Sequence, residues 1–166
     1  MPDGDAIFDD VLAANEEYAR GFRHERLEPL AARGLAVLTC MDSRIEPLAM
    51  LGLRPGDAKI LRNAGARVTD DVLRTLVIGS YLLGVRRVMV ITHTDCRMTG
   101  TEGDVHAAVL DEGGPDTRSL AFLMAEDLEA TVRDDVQRLR SWPYLRRLAV
   151  GGFVYGVETG RLTRLC

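Results

Sequence analysis

Long apolar runs, a leader, a disulfide framework and a surplus of basic charge are all missing from this sequence. No stretch approaches the ~18 consecutive apolar residues of a membrane span, so no membrane partner is expected. The opening residues, Met-Pro-Asp-Gly-Asp, are acidic and carry neither the basic nor the apolar region of a secretory leader. Only three cysteines occur in 166 residues, too few for a disulfide-stapled fold. A cytoplasmic protein with reduced thiols is therefore expected. The formal net charge is −4, which leaves no electrostatic footprint for nucleic acid. The densest basic stretch, Arg138 to Arg147, is interrupted by apolar residues and reads as a solvated face. Repeats, low-complexity tracts and linkers are absent too, so residues 1–166 read as a single domain.

What is present suits a globular chain. The sequence is 46% hydrophobic and 28% charged, ordinary values for a domain long enough to bury a sizeable core. The stretch Ala36-Val37-Leu38-Thr39-Cys40-Met41-Asp42-Ser43-Arg44 organises the rest. Leu35 to Thr39 reads as a buried strand that stops at a cysteine, an aspartate and an arginine on alternate positions. Alternate side chains of an extended backbone point the same way. Cys40, Asp42 and Arg44 are therefore expected to face one spot at the carboxyl end of a strand, where open α/β sheets place their sites. A second run, Val88-Met89-Val90-Ile91-Thr92, ends at His93-Thr94-Asp95-Cys96. Two thiolates and one imidazole suit zinc with one position left open. Taken singly, a buried cysteine is a small apolar residue and His-x-x-Cys is a weak signal. The two gain force together because neighbouring parallel strands would bring both ends to one place.

The remaining chain supplies that sheet. Phe8, Val11, Leu12, Tyr18 and Phe22 mark an amphipathic helix over 6–22, which needs a surface to cover, its own sheet or a partner's. Ile45 to Leu51 reads as a short helix capped by Asp42 or Ser43 and closed by Gly52. Ala58 to Arg62 reads as a strand and Asn63-Ala64-Gly65-Ala66 as a place where the backbone can be closely approached. Thr69, followed by Asp70 and Asp71, starts a helix that runs to about Leu83. A strand follows over 86–92 and a short helix over 104–110. Leu120 to Leu139 reads as a long helix. Leu148 to Val157 reads as a strand, and Glu158-Thr159-Gly160-Arg161 as a hairpin turn into a last short strand. Strands alternating with helices predict an α/β fold: a mostly parallel central sheet flanked by helices, with an antiparallel C-terminal hairpin strand. His24 and His106 lie in polar helical contexts and are expected to be exposed. His106 is near enough in sequence to serve as a proton shuttle.

Cys40-Met41-Asp42-Ser43-Arg44, then Arg62-Asn63-Ala64-Gly65, then His93-Thr94-Asp95-Cys96 resembles the β-class carbonic anhydrase family, its short bacterial members in particular. The likeness runs over about residues 1–157. It implies that Cys40, His93 and Cys96 hold zinc and that Asp42 and Arg44 form the catalytic pair beside it. It implies a carbon dioxide pocket lined partly by Ala64 and Gly65. It further implies a homodimer or larger homo-oligomer, with the N-terminal helix lying across the neighbouring subunit. The expected activity is reversible hydration of carbon dioxide to bicarbonate by a zinc-bound hydroxide. The alternatives are hydrolysis of carbon disulfide or carbonyl sulfide on the same site, and a catalytically weak zinc-binding module. The family usually has glycine after the second cysteine ligand, where this chain has Arg97. That side chain either points to solvent or lies over the site and alters access. Two thiolates cancel the formal charge of zinc and activate its water less than imidazoles do, so Asp42 is expected to help, held and kept ionised by Arg44. If Arg44 released it, Asp42 could itself swing onto the metal and close the open position.

Overall fold

The computed structural model describes residues 6–24 and 26–166; the acidic opening Met1–Asp5 lies outside the described residues. Two helices and two strands alternate first: α1 (Asp9–Arg20), β1 (Leu35–Cys40), α2 (Pro47–Met50) and β2 (Ala58–Asn63). Then come α3 (Asp70–Leu82), β3 (Arg87–His93), α4 (Glu102–Asp111), α5 (Leu128–Ser141), β4 (Ala149–Tyr155) and β5 (Leu162–Arg164). The strands form one sheet in the order β2-β1-β3-β4-β5, all parallel except β5, which returns antiparallel along β4. The central position of β1 explains its composition: with every residue buried, it is the continuous apolar run of a strand covered on both faces.

Register sets where the strands end. Leu35 to Thr39 pair with Arg87 to Ile91, and Cys40 stands opposite Asn63 of β2. One face of the sheet, with Ala36, Leu38, Val88 and Val90, packs against Leu73 and Leu76 of α3 and Val132, Val136 and Leu139 of α5. Each such fully buried valine or leucine contributes about 1.5–3 kcal/mol. The other face, with Leu35, Val37 and Ile91, is covered more thinly by Met50, Leu51 and Leu53 at the end of α2. A hollow of about 330 Å³ remains there, floored by Leu35, Leu53, Met89 and Phe153 and lined also by the exposed Arg33, Arg87 and Arg164.

Helix α3 begins where its cap lies: Thr69 accepts the Val72 N–H at 3.4 Å, and Asp70 and Asp71 occupy the positive end of the dipole. Helix α1, preceded by a single 3-10 turn at Ala6–Phe8, buries no residue. Its apolar stripe stands in solvent, with Phe8 62% and Leu12 59% exposed.

Three elements differ from the sequence expectation. The segment 120–127 is irregular, and α5 starts only at Leu128. Leu123 takes a left-handed φ of 61°, and the Glu102 carboxylate accepts the N–H groups of Phe122 and Met124 at 2.9 Å each. Those donors are satisfied outside any helix, and Asp127 then caps α5 by accepting the Ala130 N–H. Helix α2 is a single turn capped by neither Asp42 nor Ser43, because the Asp42 carboxylate is taken up by Arg44. His106 is partly buried rather than exposed: its ring packs on Phe122 and its Nδ1 lies 2.9 Å from Thr117 Oγ1.

Candidate metal centre

Because β1 and β3 are parallel neighbours in register, their last residues, Cys40 and His93, come to lie beside each other at one edge of the sheet. After β3 the chain turns at once. Asp95 adopts a positive φ of 53° and Thr99 N–H donates to Cys96 O at 3.0 Å, which returns Cys96 toward Cys40. The two sulfurs are 4.0 Å apart, both thiols free. The ligand atoms of Cys40, His93 and Cys96 all lie within 4.8 Å of one another.

The imidazole has an acceptor nitrogen free to meet a cation. His93 is 0% exposed. Its Nδ1 is 2.8 Å from the Thr94 carbonyl, an acceptor only, so Nδ1 carries the proton and Nε2 is left as the acceptor. Nε2 is buried with no hydrogen-bond partner. An orphaned buried acceptor costs about 1–3 kcal/mol, and a divalent ion would satisfy it. Burial, with Cys40 close by, pushes the Cys96 thiol up to about 11. Cys96 thus keeps its proton until a cation displaces it. Each sulfur also receives a backbone donor: Gly65 N–H to Cys40 Sγ at 3.4 Å and Met98 N–H to Cys96 Sγ at 3.5 Å. Two sulfurs and a nitrogen with room beside them fit zinc.

Asp42 and Arg44 come together, but not by extended alternation. The chain leaves β1 through a turn in which Ile45 N–H donates to Asp42 O at 3.1 Å and Arg44 N–H to Asp42 Oδ1 at 2.9 Å. Short polar residues favour such a side-chain-to-backbone turn over a continued strand. It folds the guanidinium back, so that Nε meets Oδ1 at 3.0 Å and Nη2 meets Oδ2 at 2.7 Å. These bonds hold the Asp42 carboxyl well below the usual carboxylate range and raise Arg44 above its own.

Two residues that the sequence reading left without a role complete the arrangement. Asp95 receives Arg44 Nη1 on its carboxylate at 2.7 Å and Nη2 on its carbonyl at 2.9 Å. Arg62 donates to the carbonyls of Cys40 and Asp42 at 3.0 and 2.6 Å. Arg62 stands at the end of the strand beside β1, within the Arg62-Asn63-Ala64-Gly65 motif, which marked its place but not its partners.

A cavity of about 420 Å³ opens over the site, with Cys40, Asp42, Ala64, Cys96, Arg97 and Met98 in its wall. Ala64 therefore lines it. Gly65 is buried behind the wall, where a φ of +74° favours glycine and a Cβ would stand a tight 3.2 Å from Met98 Cβ. Arg97 is exposed and in the cavity wall at once. His106 is not in that wall.

Residues 35–162 match the family model for carbonic anhydrase. The chain belongs to the β-carbonic anhydrase family. It is 37% identical to "Beta-carbonic anhydrase 1" of Mycobacterium tuberculosis, over 96% of this chain and 98% of that protein. It is 36% identical to a carbon disulfide hydrolase of Saccharolobus solfataricus, over 80% of this chain and 77% of that protein. Among solved structures, the carbonic anhydrase of Streptococcus mutans superposes with a TM-score of 0.90 at 37% identity, covering 96% of this chain and 97% of the other. The Streptococcus mutans carbonic anhydrase shares this α/β fold.

Proposed function

We propose that this protein catalyses the reversible hydration of carbon dioxide to bicarbonate, with zinc held by Cys40, His93 and Cys96. The observation that carries the reading is the partnerless, buried His93 Nε2 beside two free thiols, with the Asp42 carboxylate 3.8 Å from that nitrogen. Bound zinc would supply a Lewis-acidic fourth position at which water loses a proton near neutral pH and becomes a nucleophile.

The residues around that position divide the remaining work. Asp42 accepts a hydrogen bond from the attacking water and fixes its orientation. Arg44 fixes Asp42 and keeps it ionised through two charge-assisted bonds. Asp95 holds Arg44 from the far side. Carbon dioxide is uncharged and needs only the apolar part of the cavity, where Ala64 and Met98 stand. Bicarbonate leaves past Arg97.

The partner proposed for the protein is a second copy of itself. Helix α1 carries Asp9, Asp10, Glu16 and Glu17 beside its exposed apolar stripe. The open sheet face offers an apolar floor with three exposed arginines. The two surfaces are complementary in both respects, which supports α1 crossing to the neighbouring subunit. Two free sulfurs 4.0 Å apart need a reducing compartment to stay metal-competent, which supports a cytoplasmic location. No helix among the described residues is long and apolar enough to cross a membrane.

Metal analysis of the purified protein, followed by stopped-flow hydration of carbon dioxide with and without a chelator, tests the reading. Hydration is expected to vanish with the zinc and return on its re-addition. Cys40→Ala and His93→Ala are expected to lose both. Hydration that persists in the metal-free protein, or full zinc occupancy in either variant, would overturn the assignment. Turnover of carbon disulfide in the same assay, with none of carbon dioxide, would assign the site to the hydrolases instead.

A further inference from the structure

The Arg67–Asp135 pair lies away from the ligands and plays no part in the mechanism above, yet it is the most enclosed arginine–carboxylate pair among the described residues. Arg67 Nε donates to Asp135 Oδ2 at 2.7 Å, with the two side chains 17% and 6% exposed. Asp135 sits on α5, in the helix face packed on the sheet. We propose that this pair is a positioning device for the metal centre: it holds, by two separate arms, the backbone N–H groups that donate to the sulfurs of Cys40 and Cys96. The inference rests on those cysteines being metal ligands.

The first arm is the Arg67 backbone. Its N–H donates to Asn63 Oδ1 at 2.8 Å, and Asn63 Nδ2 donates to its carbonyl at 2.7 Å. These bonds close the turn over Ala64–Ala66, from which Gly65 N–H reaches Cys40 Sγ. The second arm is the Arg67 head group. Its Nη1 donates to the Leu123 carbonyl. Two residues on, Ala125 N–H donates to Met98 O at 2.9 Å and Ala125 O accepts Gly100 N–H at 3.1 Å. Met98 N–H in turn reaches Cys96 Sγ. The arms also touch: a Cβ on Gly65 would stand 3.2 Å from Met98 Cβ. Moving either donor therefore disturbs the other.

Donors at 3.4 and 3.5 Å from sulfur form hydrogen bonds to so large an acceptor, so turning either donor away removes a bond. An N–H bond to sulfur fixes the orientation of the ligand atom and draws charge from the sulfur that would otherwise go to the metal. Groups that orient metal ligands typically contribute about 10–100-fold in affinity. A buried ion pair, by contrast, adds little net stability over apolar side chains of similar volume. Replacing both partners separates the two roles: the fold keeps its packing, the head-group arm to Leu123 is lost, and the Arg67 backbone keeps its bonds to Asn63 but loses the side chain that anchors it.

The test uses the double variant Arg67→Met/Asp135→Leu and the single variant Arg67→Lys, which keeps the charge opposite Asp135 but not the fork that reaches Leu123. Each is loaded with cobalt(II) and, separately, titrated with zinc against a competing chelator. The double variant is expected to melt near the parent. Its sulfur-to-cobalt charge-transfer band should move to longer wavelength, and its zinc affinity should fall about tenfold. Arg67→Lys should show the same changes to a smaller extent. A folded double variant with the parent's band and affinity would overturn the proposal. So would an unchanged Arg67→Lys, which decides the matter if the double variant does not fold. A parent protein that takes up neither cobalt nor zinc would instead sink the metal reading itself.

Discussion

Asp42 Oδ2 stands 3.8 Å from His93 Nε2 while also bonded to Arg44 Nη2 at 2.7 Å. One oxygen thus faces both the imidazole lone pair and the guanidinium that keeps it ionised. Asp42→Asn retains size and part of the hydrogen bonding but removes the charge and places an N–H₂ where an acceptor is needed. It is expected to keep zinc and lose at least about 100-fold in hydration rate, the usual effect of removing a group that directs a proton. Metal content and stopped-flow rates on one preparation check this. Activity within about threefold of the parent would remove Asp42 from the mechanism.

Arg97 is an exposed cation in the cavity wall and, among the described residues, forms no ion pair. Its field acts on bicarbonate and not on carbon dioxide. A single exposed charge contributes about 0.2–1 kcal/mol, up to about fivefold. Arg97→Gly is expected to raise KM for bicarbonate by about that factor, with the difference shrinking as salt is added. KM for carbon dioxide should stay constant. A faster hydration rate in the variant would show instead that the side chain obstructs the cavity.

Glu102 ties α4 to the 122–125 segment. The N–H groups of Met124 and Phe122 hold its carboxyl below the ordinary value of 4.5. A depressed carboxyl pKa stabilises the folded segment above the unfolded value and loses that effect as pH falls through the folded one. Amide exchange at Phe122 and Met124 should therefore accelerate as pH drops below 4.5 relative to the rest of the chain. Glu102→Gln should accelerate it at neutral pH and abolish that pH dependence. Protection that follows the global core at every pH would refute the clamp.

The stripe on α1 gives the fourth prediction. Phe8→Asp with Leu12→Asp places charges on side chains that are 62% and 59% exposed in a single copy. A lone subunit loses little by that change. An interface loses about 1.5–3 kcal/mol for each buried apolar side chain, together with the cost of desolvating the new charges. Light scattering should show a shift from oligomer to monomer, with helix content preserved. Unchanged mass would place the subunit contact elsewhere.

The sheet was legible because its strands are short apolar runs bounded by turn residues, and Thr69 and the acids after it marked α3 without ambiguity. Cys40 and His93 could be placed together because both end such runs. The path to Arg44 could not be read, since Asp42-Ser43-Arg44 suits a strand and a turn equally and only the Asp42 side chain bonding to the Arg44 backbone decides it. Asp95, Arg62 and Arg67 escaped for another reason. Their partners lie 51, 22 and 68 positions away, and no local pattern records contacts of that range. The 120–127 segment misled because its apolar spacing suits a helix, while the carboxylate that unwinds it comes from α4.

The pairing of Thr39 with Ile91 and of Cys40 with Asn63 makes the centre depend on residues that never meet a ligand. A slip of one position would send every side chain of β1 to the opposite side of the sheet, Cys40 among them, while hardly altering the outline of the molecule. The valines and leucines that forbid the slip therefore proofread the chemistry, and a core substitution that loosens β1 should impair metal loading before it lowers the melting point.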